Sequence, residues 1–131
     1  MKLSTLLKLQ LAYAVAGVGY NIISFVAVSG GGQQFSTTPP LRGGLVMALY
    51  GVFLLAAYFD HFKLYRFLMA GSIVGFGYGG IVIHLMNYNQ DPGMYVSFLA
   101  WFLAVGINVY GLGLNALAVS GRFSIDERLT Q

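Results

Sequence analysis

LRGGLVMALYGVFLLAAYF (residues 41–59), DHFKLYR (60–66) and FLMAGSIVGFGYGGIVIHL (67–85) decide the fold. The two outer runs are apolar, and their single charge, Arg42, lies at the very start. The short linker between them gathers Asp60, His61, Lys63 and Arg66. A helix needs about 20 mostly apolar residues to cross a bilayer. The stretch therefore reads as two spans joined by a tight charged turn. Working outward, residues 6–28 and 94–119 are two more runs of the same kind. The links at 29–40 and 86–93 are too short to hold a separate domain. The expectation is an all-α integral membrane protein of one domain, residues 1–131, built as a four-transmembrane-helix up-down-up-down bundle.

Charge sets the orientation. Lys2 and Lys8 precede the first run, Lys63 and Arg66 separate the second and third, and Arg122 and Arg128 follow the fourth. Of the seven basic residues only Arg42 is left for the other face. Basic residues accumulate in cytoplasmic loops, so both termini are expected in the cytoplasm, with 30–40 and 87–92 outside. The localisation that follows is multi-pass, in a bacterial inner (plasma) membrane. So strong a bias also argues against antiparallel dimers of dual topology.

Composition agrees. The chain is 57% hydrophobic and 8% charged, with a mean hydropathy of +0.72. A soluble domain carries about 25% charged residues. The net charge of +3 and pI near 9.3 do not imply nucleic acid, because bases spread over short loops and a tail form no patch. They suit anionic lipid instead. With no cysteine, disulfides, thiolate metal sites and cysteine nucleophiles are excluded. The first run is longer than the apolar part of a signal peptide and reads as a span. No glycosylation sequon occurs. Ser124-x-x-Glu127 matches a helix capping box.

Polar residues inside the spans fall on faces. At 100° per residue, Gln10, Tyr13, Gly17, Tyr20, Asn21 and Ser24 share one side of the first helix. Ser97, Trp101, Ala104, Asn108, Gly111 and Asn115 share one side of the fourth. On antiparallel helices Gln10 and Asn115 lie at one depth, Tyr20 or Asn21 lies near Asn108, and Ser24 meets Trp101. An unsatisfied amide in hydrocarbon costs several kcal/mol, so these stripes should face protein, and each other first. They either glue the bundle or line a polar cavity for a small solute, a quinone or a lipid headgroup. Gly71, Gly75 and Gly79, four apart, form a ridge on a third helix expected to be short. Gly106, Tyr110 and Gly113 form a second small-residue face on the fourth helix. Such faces admit close helix packing, within the chain or with another.

Little in the sequence carries chemistry. Gly75-x-Gly77-x-x-Gly80 matches the dinucleotide fingerprint only as a string, with no strand before it. His61 and His84 sit at opposite ends of the bundle and cannot share a metal or a haem. His84 has Arg42 and Asp91 near the same outer surface, and those two can pair across the loops. No Asp, Glu, Lys or Arg lies within the membrane interior of a span, which argues against a proton relay. The expectation is a non-catalytic membrane subunit that packs through its glycine faces against other integral-membrane subunits or copies of itself. The alternative is a small channel or transporter whose oligomer passes a polar solute or ion along Asn21, Asn108 and Asn115. No cofactor is predicted, though a bound lipid or quinone fits the polar-cavity reading.

Overall fold

The computed structural model describes residues 1–125. It is all-helical, with 80% of the described residues in helix. The helices are α1 (Leu3–Ser29), α2 (Pro40–Phe53), α3 (Leu55–Tyr58), α4 (Phe62–Gly77), α5 (Ile83–Gln90) and α6 (Phe98–Ser120). A π-helical turn, Tyr78–Val82, joins α4 to α5, and a 3-10 turn, Pro92–Met94, precedes α6. Four helical stretches are long and apolar enough to cross a membrane: Leu3–Ser29, Pro40–Tyr58, Phe62–Gln90 and Phe98–Ser120. They mark a multi-pass membrane protein. Glu127, the second half of the capping-box motif, and Arg128 lie outside the described residues.

Local chemistry sets the ends of the helices. Pro40 opens α2, where a missing N–H costs nothing. The Ser97 hydroxyl caps α6 by accepting the Ala100 N–H at 3.1 Å. Gly121, at φ 70°, closes that helix in the left-handed conformation that glycine adopts freely. Asp60 holds φ 62° in the turn between the second and third spans. Aspartate tolerates this region better than most residues.

The third span is longer than its apolar run suggests, with 29 residues against the short helix expected from 67–85. Nothing in Phe62–Arg66 or Met86–Gln90 breaks a helix, so the helix continues through both polar ends until Pro92. The linker at 60–66 is thus mostly the first turn of α4.

α1 packs against α2 and α6, and α6 packs against α4, whereas α2 touches α4 only lightly. The core is a cluster that includes Leu6, Tyr13, Met47, Tyr50, Tyr65, Met69 and Leu114. Glycines admit the closest approaches. A Cβ at Gly17 would overlap Met47, one at Gly43 would overlap Asn21, and one at Gly111 would overlap Tyr13. At the base of the bundle the chain ends pair: Leu3 N–H donates to Ser124 O at 2.8 Å and Ser124 N–H to Met1 O at 2.9 Å. The outer surface is apolar, with Phe67 75% and Val74 72% exposed, as lipid solvent requires.

Candidate functional site

Two features hold the polar groups of the spans. The first is a hydrogen-bonded network sealed in the core. The Gln10 amide donates to Asn115 Oδ1 at 3.1 Å and lies 3.2 Å from the Met69 sulfur. The Tyr65 hydroxyl donates to Gln10 Oε1 at 2.5 Å, and the Tyr50 hydroxyl donates to Asn115 Oδ1 at 2.6 Å. One layer further along, the Tyr13 hydroxyl donates to Asn108 Oδ1 at 3.0 Å. Gln10, Tyr13, Tyr65 and Asn115 are fully buried. Within this network only the Asn115 Nδ2 lacks a partner among the described residues. Five aromatic rings brace the layer, with Tyr13, Tyr50 and Phe76 meeting edge to face and Tyr65 against Phe123.

The network brings Gln10 to Asn115, as their matched depths predict. It places Tyr13, not Tyr20 or Asn21, on Asn108. Tyr20 donates to the Ala100 carbonyl at 2.8 Å. Asn21 turns toward α2, where it lies over Gly43, and donates to its own helix at Gly17 O. Ser24 does not meet Trp101. Its hydroxyl accepts the Phe35 N–H at 2.8 Å, and the Trp101 indole donates to the His84 carbonyl at 3.1 Å. The reason is steric. α1 is wedged between α2 and α6, so its polar stripe divides between them. The loop before Pro40 then folds down onto the outer end of α1, leaving Ser36 only 3% exposed. Tyr50 and Tyr65 were not singled out in the sequence. Their hydroxyls complete the network from α2 and α4, and no periodic pattern marked them.

The second feature is a lateral cleft of about 840 Å³ between α2 and α4, where the bundle is loosely closed. Gly71, Gly75 and Gly79 line one wall, and a Cβ on any of them would meet nothing within 4 Å. Val46, Leu49 and Phe53 line the facing wall from α2. Tyr50, Phe76 and Asn108 line the inner side, and Asn21 also borders the space. The glycine ridge is therefore uncovered by the described residues and recessed in a groove.

The π turn completes the ridge. His84 lies five residues after Gly79, which in an α-helix would rotate it about 140° away. The Ile83 N–H bonds back to Tyr78 O, taking up one extra residue, and His84 lines the same cleft. Within the turn Gly80 faces α6, where a Cβ would lie 2.5 Å from the Asn108 amide carbon. A uniform helical period cannot reveal this shift in phase.

Polar groups gather at the outer end of the cleft. His84 Nδ1 sits 2.7 Å from the Tyr95 hydroxyl and 3.5 Å from the Thr37 hydroxyl, and Asn87 Nδ2 donates to Thr37 at 3.0 Å. Burial pushes the Tyr95 hydroxyl, which lies outside the spans, above its usual pKa. Arg42 is exposed at the mouth. It does not pair with Asp91, which instead accepts the Gly93 N–H at 2.8 Å and so stabilises the 3-10 turn. The expected outer cluster is thus split, with Arg42 and His84 in the cleft and Asp91 in the turn.

On α6, a Cβ at Gly106 or Gly113 would also meet nothing within 4 Å, while Tyr110 between them is 45% exposed. Among the described residues no group of three or more His, Cys, Asp or Glu could hold a metal ion. Comparison with protein-family models, with curated proteins and with solved structures finds no match.

Proposed function

We propose that this protein is a non-catalytic integral-membrane subunit, an up-down-up-down bundle with both termini in the cytoplasm of a bacterial cell. On this reading the Gly106–Tyr110–Gly113 face of α6 docks it to a larger membrane assembly or to copies of itself. One observation carries the reading: the polar groups of the spans are spent on one another, while bare backbone is left on the outside. Gln10, Asn115, Tyr50 and Tyr65 bond inside the buried core. A Cβ at Gly106 or Gly113 would meet nothing within 4 Å among the described residues. A glycine weakens a helix by roughly 0.5–1 kcal/mol relative to alanine, a cost that close packing against another helix offsets.

The alternative, a channel or transporter, draws on Asn21 and Asn108 at the cleft. Against it, the third asparagine of that face, Asn115, is fully buried in the network. Chemical crosslinking in native membranes tests the subunit reading. The expected outcome is a crosslinked species well above the 14.2 kDa of one chain. Finding only the 14.2 kDa species would sink it.

A further inference from the structure

The cleft between α2 and α4 combines features that the subunit reading leaves unused. It is large, and about 840 Å³ lies within the roughly 300–1,000 Å³ of small-molecule sites. Most of its length is apolar, and one wall is stripped of side chains at Gly71, Gly75 and Gly79. Only one end is polar. It is therefore shaped for an amphiphile, with a slender apolar chain in the slot and a head at the outer end.

The polar end has the chemistry of an anion site. Arg42 is the basic residue of that end; Lys2, Lys8, Lys63, Arg66 and Arg122 belong to the opposite one. It forms no ion pair with any described residue, and its guanidinium presents a planar fork of donors suited to phosphate. The N-terminus of α2 opens onto the same mouth through Thr38, Pro39 and Arg42. The first-turn amides of Leu41 and Arg42 have no acceptor among the described residues. Free amides and the helix dipole together favour a negative charge there.

A separate observation comes from His84. It is 3% exposed, yet it lines the cleft. Its Nδ1 is engaged by Tyr95 and Thr37, whereas its Nε2 has no partner among the described residues. When the Tyr95 hydroxyl donates to Nδ1, Nε2 carries the proton and is available as a donor. The π turn that shifts His84 onto the glycine wall places this group beside the slot.

We infer that the cleft holds one anionic phospholipid, its phosphate at Arg42 and the first turn of α2, its ester oxygens toward His84, and one acyl chain against Gly71, Gly75 and Gly79. Charge complementarity selects this occupant, because its phosphate supplies the anion that Arg42 and the free amides of α2 favour while its acyl chain fills the apolar slot. The inference is independent of the docking face on α6, so either can fail without the other.

Native mass spectrometry of the full chain in mild detergent tests it, with equimolar phosphatidylglycerol and phosphatidylcholine of matched acyl chains. The expected result is one phosphatidylglycerol retained per chain in preference to phosphatidylcholine. Arg42→Gln, at an exposed position that leaves folding intact, should lower that retention by about tenfold, the loss of a charge-assisted contact. Gly75→Leu should fill the slot and displace the lipid from a chain that remains helical. Lys63→Gln, which removes a base at the opposite end, should leave retention unchanged. Equal retention of both lipids would overturn the inference. So would retention by Arg42→Gln and Gly75→Leu at the wild-type level, or a lipid-free dimer with the cleft closed by a second copy.

Discussion

The Tyr50 hydroxyl lies 2.6 Å from the Asn115 side-chain oxygen, a bond between residues 65 apart in sequence. The same oxygen accepts from Gln10, which in turn accepts from Tyr65. One carbonyl thus links the first, second and fourth spans, and Gln10 extends the link to the third. Hydrophobic burial discriminates poorly between helix faces in lipid, because lipid is as apolar as the core. The network supplies the register that burial cannot, and each partner it loses leaves a buried donor unmet.

Asn115→Leu conserves much of the volume and removes the shared acceptor. It strands the Tyr50 hydroxyl and the Gln10 amide together. The expected loss is about 1–3 kcal/mol, the cost of unsatisfied buried polar groups. Thermal unfolding in mild detergent should show it as a lowered midpoint. Gln10→Leu added to Asn115→Leu should cost less than the two singly, because both act on one network. Strict additivity would mean that the two residues are independent.

The proposed topology rests on the split of basic residues, and exposed positions at the two ends of the bundle test it. Ser36 is 3% exposed and would label poorly whichever side it faced. Gln33 and His61 are exposed at opposite ends of the bundle. Cysteines introduced there should react with an impermeant thiol reagent from opposite sides of the membrane, Gln33→Cys from outside intact cells and His61→Cys only after lysis. Reaction of both from one side would invert or break the four-span arrangement.

The existence of the four spans was legible because length and apolarity alone define them. The pairing of Gln10 with Asn115 was legible because amides in hydrocarbon must find partners at their own depth. Three other features escaped for physical reasons. The division of the α1 stripe between α2 and α6 depends on which helix wedges where, and that arrangement is set by contacts such as Gly43 under Asn21. The phase shift at Tyr78–Val82 breaks the 100° rule on which the faces were drawn. The cleft arises from a loose contact between α2 and α4, and an absence of packing leaves no mark in sequence.

Glycines separate into two classes with opposite expectations. At Gly80 a Cβ would lie 2.5 Å from the Asn108 amide carbon, and at Gly111 it would overlap the Tyr13 ring. Both sites press on the Tyr13–Asn108 bond. Gly80→Ala and Gly111→Ala should each destabilise by about 1–3 kcal/mol, the usual cost of overpacking. At Gly71 and Gly113 the Cβ meets nothing. Alanine there should leave the isolated chain unchanged or raise its stability by roughly 0.5–1 kcal/mol through helix propensity. Unfolding midpoints of the four variants, measured on the isolated chain, decide the matter. Equal effects would mean that the two classes do not exist.

That contrast makes the docking face testable without damage to the bundle. Gly106 and Gly113 lie seven residues apart on one side of α6, with Tyr110 between them. Because a Cβ at either glycine meets nothing within 4 Å among the described residues, Gly106→Leu and Gly113→Leu should preserve the fold and its unfolding midpoint. A helix seated on bare backbone would be pushed outward by the depth of a side chain, past the ~8–10 Å of ordinary helix pairs. Its dispersion contacts and weak Cα–H···O contacts would go together. The expected outcome is an assembly that falls to 14.2 kDa by size exclusion with light scattering, with helicity unchanged. Phosphatidylglycerol retention should persist in the same variants, because the cleft lies between α2 and α4. An assembly that survives both substitutions would place the docking face elsewhere on the bundle, and the uncovered glycines of α6 would then have no role in holding a partner.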